Sequence, residues 1–367
     1  MKDRTKRFRG GSSRRGTASP GRSSARRHRG RVAAAGTSAV VLGALAIEHR
    51  LAAAAVASEA DMEAAGLVLP DDLVHHDVHT DDGGMIHVVE RGEGPAIILL
   101  HGVTLTHETW VHQLRHLADS YRVLALDQRG HGRSVPGSDF FDAPARWPSG
   151  PGARAMKRMA ADVVSVMDAL EVDRALLVGH SMGGMVTLQL LHDAPDEVGK
   201  RIAGMALVAT TAGPFLGVPG FARALEATTP LTRHSLEALD RRSMRLLPTR
   251  DLAYWSTRLA FGADAPAVQV RFAEKMINSM SPGVMARLLG DVAGFDLSSG
   301  LASIEQPASV VVGTHDRLTP PWHARRLVRT LPDAQLFEQM RCGHMVMLER
   351  PGELNRILGE TAAKVLT

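Results

Sequence analysis

Gly179-His180-Ser181-Met182-Gly183-Gly184 is the stretch on which the reading of this chain turns. The run before it, Arg174-Ala175-Leu176-Leu177-Val178, is short and apolar and predicts a buried strand, while Met185 to Leu191 has helical spacing. Strand, tight glycine-flanked turn and helix together are the context that gives G-x-S-x-G a meaning. A serine at the tip of so sharp a turn takes a strained backbone conformation that lifts its hydroxyl above the sheet. Side chains two residues to either side would collide there, and glycine at 179 and 183 removes them. The backbone N–H of Met182, at the start of the helix, then points to where a negative oxygen would develop. Ser181 is therefore a candidate nucleophile; the rival reading is a plain strand-to-helix connection.

A serine hydroxyl is a poor nucleophile until a base takes its proton, and the base needs an acid to orient it. Both follow in the chain. The apolar strand Ala308 to Val312 leads into Gly313-Thr314-His315-Asp316, and the strand Ala334 to Gln339 leads into Arg341-Cys342-Gly343-His344. Ser181, Asp316 and His344 would each lie just past the carboxyl end of a strand, along one rim of a sheet. Taken singly, Asp316 reads as a solvated loop acid and His344 as a surface histidine; their joint placement with Ser181 makes the case.

Further strands are predicted at Ala96 to Leu100, Arg122 to Leu126 and Ile202 to Val208, with a hairpin over Leu73 to Thr80 and Met85 to Glu90 joined by Asp81-Asp82-Gly83-Gly84. Helical patterns such as Ala155 to Leu170 and Trp322 to Leu331 lie between or after them. This alternation predicts an α/β fold, a mostly parallel doubly wound sheet with helices on both faces. It breaks down over residues 211–303, where helical segments (Phe221 to Ala227, Ser235 to Leu247, Leu252 to Phe261, Val268 to Met280, Val284 to Asp291) replace strands. That region is read as a helical cap inserted after the sixth strand of a core spanning 73–210 and 304–367.

Four motifs now point to one family. His101-Gly102-Val103 follows a strand, with Trp110 beyond it. Asp127-Gln128-Arg129-Gly130-His131-Gly132-Arg133-Ser134 reads D-x-R-G-H-G-x-S. The turn at Ser181 and the loops of Asp316 and His344 complete the set. From about residue 73 onward the chain resembles the α/β-hydrolase superfamily, in its serine hydrolase branch with a helical cap (esterase- or lipase-like). The resemblance implies a Ser181-Asp316-His344 triad, with the backbone N–H groups of Val103 and Met182 forming the oxyanion hole. It also implies that Asp127, Arg129, His131 and Arg133 are scaffold rather than chemistry. His101 reads as a buried, hydrogen-bonded turn histidine, and Cys342 as packing. The methionines of the cap (Met244, Met276, Met280, Met285) either line an acyl pocket or fill a core.

The expected activity is cleavage of a small hydrophobic carboxylic ester through an acyl-enzyme, with no cofactor and no metal. Serine at the elbow speaks against relatives that place aspartate there. Carbon–carbon bond hydrolases and cofactor-free haloperoxidases or perhydrolases share the triad, and a non-catalytic small-ligand sensor would share the fold. His75, His76, His79 and His87 cluster in the hairpin, but their linear spacing fits no metal-ligand pattern. The single cysteine excludes an intrachain disulfide.

Charge is unevenly distributed. Residues 1–31 hold 12 of the 43 Lys/Arg and one of the 39 acids, which leaves 31 basic against 38 acidic residues elsewhere. The high pI thus belongs to an Arg/Ser/Gly-rich tail expected to be disordered. The tail has almost no aromatic interleaving and no reading motif, so no nucleic-acid partner is expected. Residues 32–57 open with the uncharged run Val32 to Ile47, which is short for a membrane span. The expectation is an N-terminal anchor with its basic end in the cytoplasm; an export signal cleaved near Ala55-Val56-Ala57 and an Ala-rich soluble helix are the other readings.

Overall fold

A computed structural model describes residues 59–137, 154–213, 254 and 256–366. The N-terminal tail, the expected anchor at 32–57 and the expected cap helices Phe221 to Ala227 and Ser235 to Leu247 lie outside the described residues. Among the described residues no helix is long and apolar enough to cross a membrane.

Eight strands form one sheet: β1 (Val74–His79), β2 (Met85–Arg91), β3 (Ala96–Leu100), β4 (Arg122–Leu126), β5 (Ala175–His180), β6 (Ile202–Val208), β7 (Ala308–Gly313) and β8 (Ala334–Gln339), in the order β1-β2-β4-β3-β5-β6-β7-β8. The β1–β2 and β2–β4 pairings are antiparallel and all others parallel. The expected hairpin and doubly wound sheet are both present.

Burial explains why these strands were readable. Every residue of β3, β5 and β7 is buried, as a parallel strand covered by helices on both faces requires, so each reads as a continuous apolar run. β1 at the sheet edge is mostly exposed and carries His75, His76, Asp77 and His79 instead. The helix after β5, Met182–Asp193, is buried along its whole length from Met182 to Leu191, which accounts for its lack of a polar face. Helix Arg154–Ala169 packs on it.

Between β6 and β7 the chain leaves the sheet, as expected. Helices Ala267–Ser279 and Pro282–Ala293 occupy the described part of this insertion, the second started by Ser281, whose hydroxyl accepts the Val284 N–H, with Pro282 in its first turn. Of the expected helix Leu252 to Phe261, the described residues are helical only as far as Arg258.

The topology fixes where a site can form. From β3 the chain moves to β4 on one side and β5 on the other, so the strand order reverses between β3 and β5. Loops leaving the carboxyl ends of these two strands diverge and leave a crevice. The segments following β3 and β5 are those of Gly102-Val103 and Ser181.

Candidate active site

Ser181 has φ 50° and ψ −114°, a left-handed conformation costly for a side chain-bearing residue. Its peptide groups hold it there. Its N–H donates to the Val208 carbonyl (2.9 Å), and its carbonyl accepts the Thr210 hydroxyl (2.6 Å) and the Gly184 N–H (3.0 Å). The expected need for glycine is borne out: a Cβ on Gly183 would overlap the Leu100 carbonyl, and one on Gly179 would overlap the Gly183 carbonyl. A Cβ on Gly102 would stand 2.8 Å from His180 Nδ1 and 3.2 Å from Ser181 Cβ, so the loop after β3 lies directly against the serine turn.

Asp316 and His344 meet. His344 Nδ1 lies 2.9 Å from Asp316 Oδ2, with both side chains buried. The carboxylate is fixed by its own loop: Oδ1 accepts the N–H groups of Leu318 (2.8 Å) and Thr319 (2.9 Å), and Oδ2 accepts the Thr319 hydroxyl (2.7 Å). With Nδ1–H committed to Asp316, the lone pair of His344 is on Nε2, the arrangement an imidazole needs to accept a proton.

The turn carrying His344 is braced from three sides. Its N–H donates to the Ala260 carbonyl (2.7 Å). Glu349 accepts the Gly343 N–H (3.0 Å) and the Gly262 N–H (2.8 Å). His180 Nε2–H donates to the His344 carbonyl (3.1 Å). Burial raises the Glu349 pKa, although the N–H groups of Gly262, Gly343 and Met345 pull the other way. Burial, followed by the neighbouring His344, lowers the His180 pKa well below the usual range and keeps this imidazole neutral. None of Thr319, His180 and Glu349 was singled out from the sequence. Thr319 had a faint signal in standing three residues after Asp316; the other two had none.

Met182 follows Ser181 directly, and Val103 follows Gly102, the residue that lies against the serine turn. Thr104, next to Val103, has φ 67° and is pinned by donating its N–H to His131 Nε2 (3.1 Å). Behind this loop, His101 donates from Nδ1 to the Gly102 carbonyl (2.7 Å) and accepts the Gln128 N–H on Nε2 (2.9 Å). Both histidines are fully buried, and burial lowers their pKa values to about 3 for His101 and about 4 for His131.

The D-x-R-G-H-G-x-S turn is scaffold. Asp127 Oδ1 accepts from the His107 backbone (2.8 Å) and ring (2.9 Å), and Oδ2 accepts the Arg133 N–H (2.9 Å). Burial is the largest single influence and works to raise the Asp127 pKa, but the hydrogen bond and charge of His107, the charge of His101 and the Arg133 N–H together outweigh it and hold the carboxyl well below its usual range. The fully buried Arg129 guanidinium bonds Asp162 (Nε, 2.8 Å) and Asp82 (Nη1, 2.6 Å). These hydrogen bonds tie the segment after β4 to His107, Asp82 and Asp162, and none of them involves Ser181. Cys342 is buried, and burial raises its thiol pKa, which suits packing.

Comparison with known proteins identifies the family. The profile of the Alpha/beta hydrolase family matches residues 97–357. The chain belongs to that family of hydrolases. It is 30% identical over 282 residues to the 2-hydroxy-6-oxo-6-phenylhexa-2,4-dienoate hydrolase of Comamonas testosteroni, covering 74% of this chain and 89% of that protein. A protein of the same name from Burkholderia cepacia is 28% identical over 284 residues, with the same coverage. Among solved structures, a thermophilic esterase from Thermogutta terrifontis superposes with a TM-score of 0.62 at 26% identity, covering 81% of this chain and 100% of that one.

Proposed function

We propose that this protein is a serine hydrolase that cleaves a carboxylic ester of a hydrophobic acid through an acyl-enzyme. The observation that carries the reading is the hydrogen bond between Asp316 and His344 (2.9 Å), set beside a serine held at φ 50°. Ser181 attacks the ester carbonyl as His344 Nε2 takes its proton. Asp316 holds the imidazole in the required tautomer and stabilises its charged form. The carbonyl oxygen becomes an oxyanion facing the N–H groups of Val103 and Met182, each such donor contributing about 3 kcal/mol in enzymes where one has been removed. The tetrahedral intermediate collapses, His344 passes its proton to the leaving alcohol, and water activated by the same histidine releases the acid.

A second reading draws on the relatives. The substrate in the name of the Comamonas testosteroni and Burkholderia cepacia proteins contains no ester, so its hydrolysis breaks a carbon–carbon bond. A panel of p-nitrophenyl esters of graded chain length, assayed beside a vinylogous diketo acid, separates the two. Turnover of the esters with none of the diketo acid supports the ester reading; the reverse replaces it.

For residues 32–57 we propose a membrane anchor with the N-terminus cytoplasmic, supported by the uncharged run behind a basic tail. The full-length chain should then sediment with membranes, and a form lacking residues 1–57 should be soluble and active. A full-length chain that stays in the soluble fraction contradicts the anchor.

A further inference from the structure

The hairpin histidines, which linear spacing does not unite, are brought together by strand register. Asp77 of β1 stands opposite His87 of β2, and His75, two residues away, is on the same face. His87 Nδ1 is 2.8 Å from Asp77 Oδ1, and its Nε2 is 3.2 Å from His75 Nδ1. A ring that gives its Nδ1–H to a carboxylate offers Nε2 as a lone pair. His107, from the segment after Val103, is built the same way: its Nδ1 is 2.9 Å from Asp127 Oδ1, which leaves Nε2 as the lone pair. The rings of His87 and His107 lie edge to face with centroids 5.7 Å apart, and one ligand atom from each of His87, His107 and Asp127 lies within 4.8 Å of the others.

Imidazoles backed by carboxylates through their other ring nitrogen are how proteins orient histidines toward a metal ion. The His75–His87 nitrogen separation also fits. Two nitrogens at about 2.0–2.1 Å from a tetrahedral zinc ion stand roughly 3.3 Å apart. Nothing in the ester chemistry uses these groups. His87 and His107 are buried and fixed, whereas His75 is at the exposed lip and can adjust. Among the described residues the exposed Arg133 lies near, its Nη1 3.4 Å from His75 Nδ1, and it has room to swing into solvent.

We propose that His75, His87 and His107 bind a single divalent cation of the zinc type, with Asp77 and Asp127 orienting His87 and His107. Imidazole donors favour zinc, copper or nickel over calcium or magnesium. The ion would tie the edge hairpin to the segment that follows Val103.

The test uses the full chain, freed of metal by chelator and titrated with Co2+ and then Zn2+. The expected result is one equivalent of Co2+ bound with the visible absorption of a nitrogen-ligated, four- to five-coordinate site and displaced by Zn2+. His75→Ala should abolish that absorption, and Asp77→Asn should weaken affinity about 10–100-fold. Both side chains are on the exposed edge strand, so their replacement leaves the core intact. Absence of Co2+ absorption in the native chain, or a site of unchanged affinity in both variants, overturns the proposal.

Discussion

The imidazoles of His180 and His344 lie against each other with ring centroids 4.7 Å apart, and His180 Nε2–H donates to the carbonyl of His344. The residue before the serine therefore helps to hold the turn of the proposed base. Its other nitrogen, Nδ1, is buried against Gly102 with no hydrogen-bond partner among the described residues. One side chain thus spans the serine turn, the loop after β3 and the loop after β8.

Replacing His180 by Leu keeps the bulk and removes the donor. Because small misplacements of reacting groups cost about 10²-fold, kcat on p-nitrophenyl esters should fall by about one to two orders of magnitude with KM little changed. Steady-state kinetics check this; an unchanged kcat would show that the contact does not position His344.

Glu349 joins two stretches far apart in sequence, accepting from Gly343 beside His344 and from Gly262, 87 positions before it. Glu349→Ala leaves both buried N–H groups without an acceptor, at about 1–3 kcal/mol each. Glu349→Gln retains a carbonyl oxygen and should recover part of that loss. Denaturant unfolding of the two variants, with kcat measured alongside, checks the order native, Gln, Ala. Equal stability of all three would contradict it.

Acid should destabilise the fold through its buried histidines. His101 and His131 take up a proton near pH 6.5 when unfolded but only near pH 3 and 4 when folded, because burial penalises the charged form. Between those values the unfolded chain holds more protons, so stability is complete above about pH 6.5 and declines as pH falls. The slope is about 1.4 kcal/mol per pH unit for each residue. Melting temperatures followed downward from neutral pH should drop, and a flat profile from about pH 7 to about pH 5 would contradict this account.

Most parts legible in the sequence share a physical cause. Strands buried on both faces read as unbroken apolar runs, so Ala96–Leu100, Arg122–Leu126 and Ile202–Val208 were located to the residue. Asp316 was found because it follows such a run, Ala308–Gly313; His344 was found because it follows Ala334–Gln339, a half-exposed edge strand centred on Leu336 and Phe337. What stayed hidden depends on pairing in space. His75 meets His87 only through the register of an antiparallel pair, and Glu349 reaches Gly262 only once the insertion has returned to the sheet. His180 sits inside the motif itself, but its partner is a carbonyl 164 positions away. The strand ending at His180 rather than Val178 was also missed, since Gly179 masks the extension.

The central claim is that Ser181 is a nucleophile activated by His344, rather than a structural serine in a ligand-binding protein that kept the fold. Incubation of the native chain with a fluorophosphonate probe, followed by peptide mapping, tests it most directly. The account predicts one probe per chain, on Ser181, with labelling lost in Ser181→Ala and strongly reduced in His344→Ala. A folded native chain that takes up no probe, or takes it up elsewhere while Ser181 stays unmodified, would contradict it.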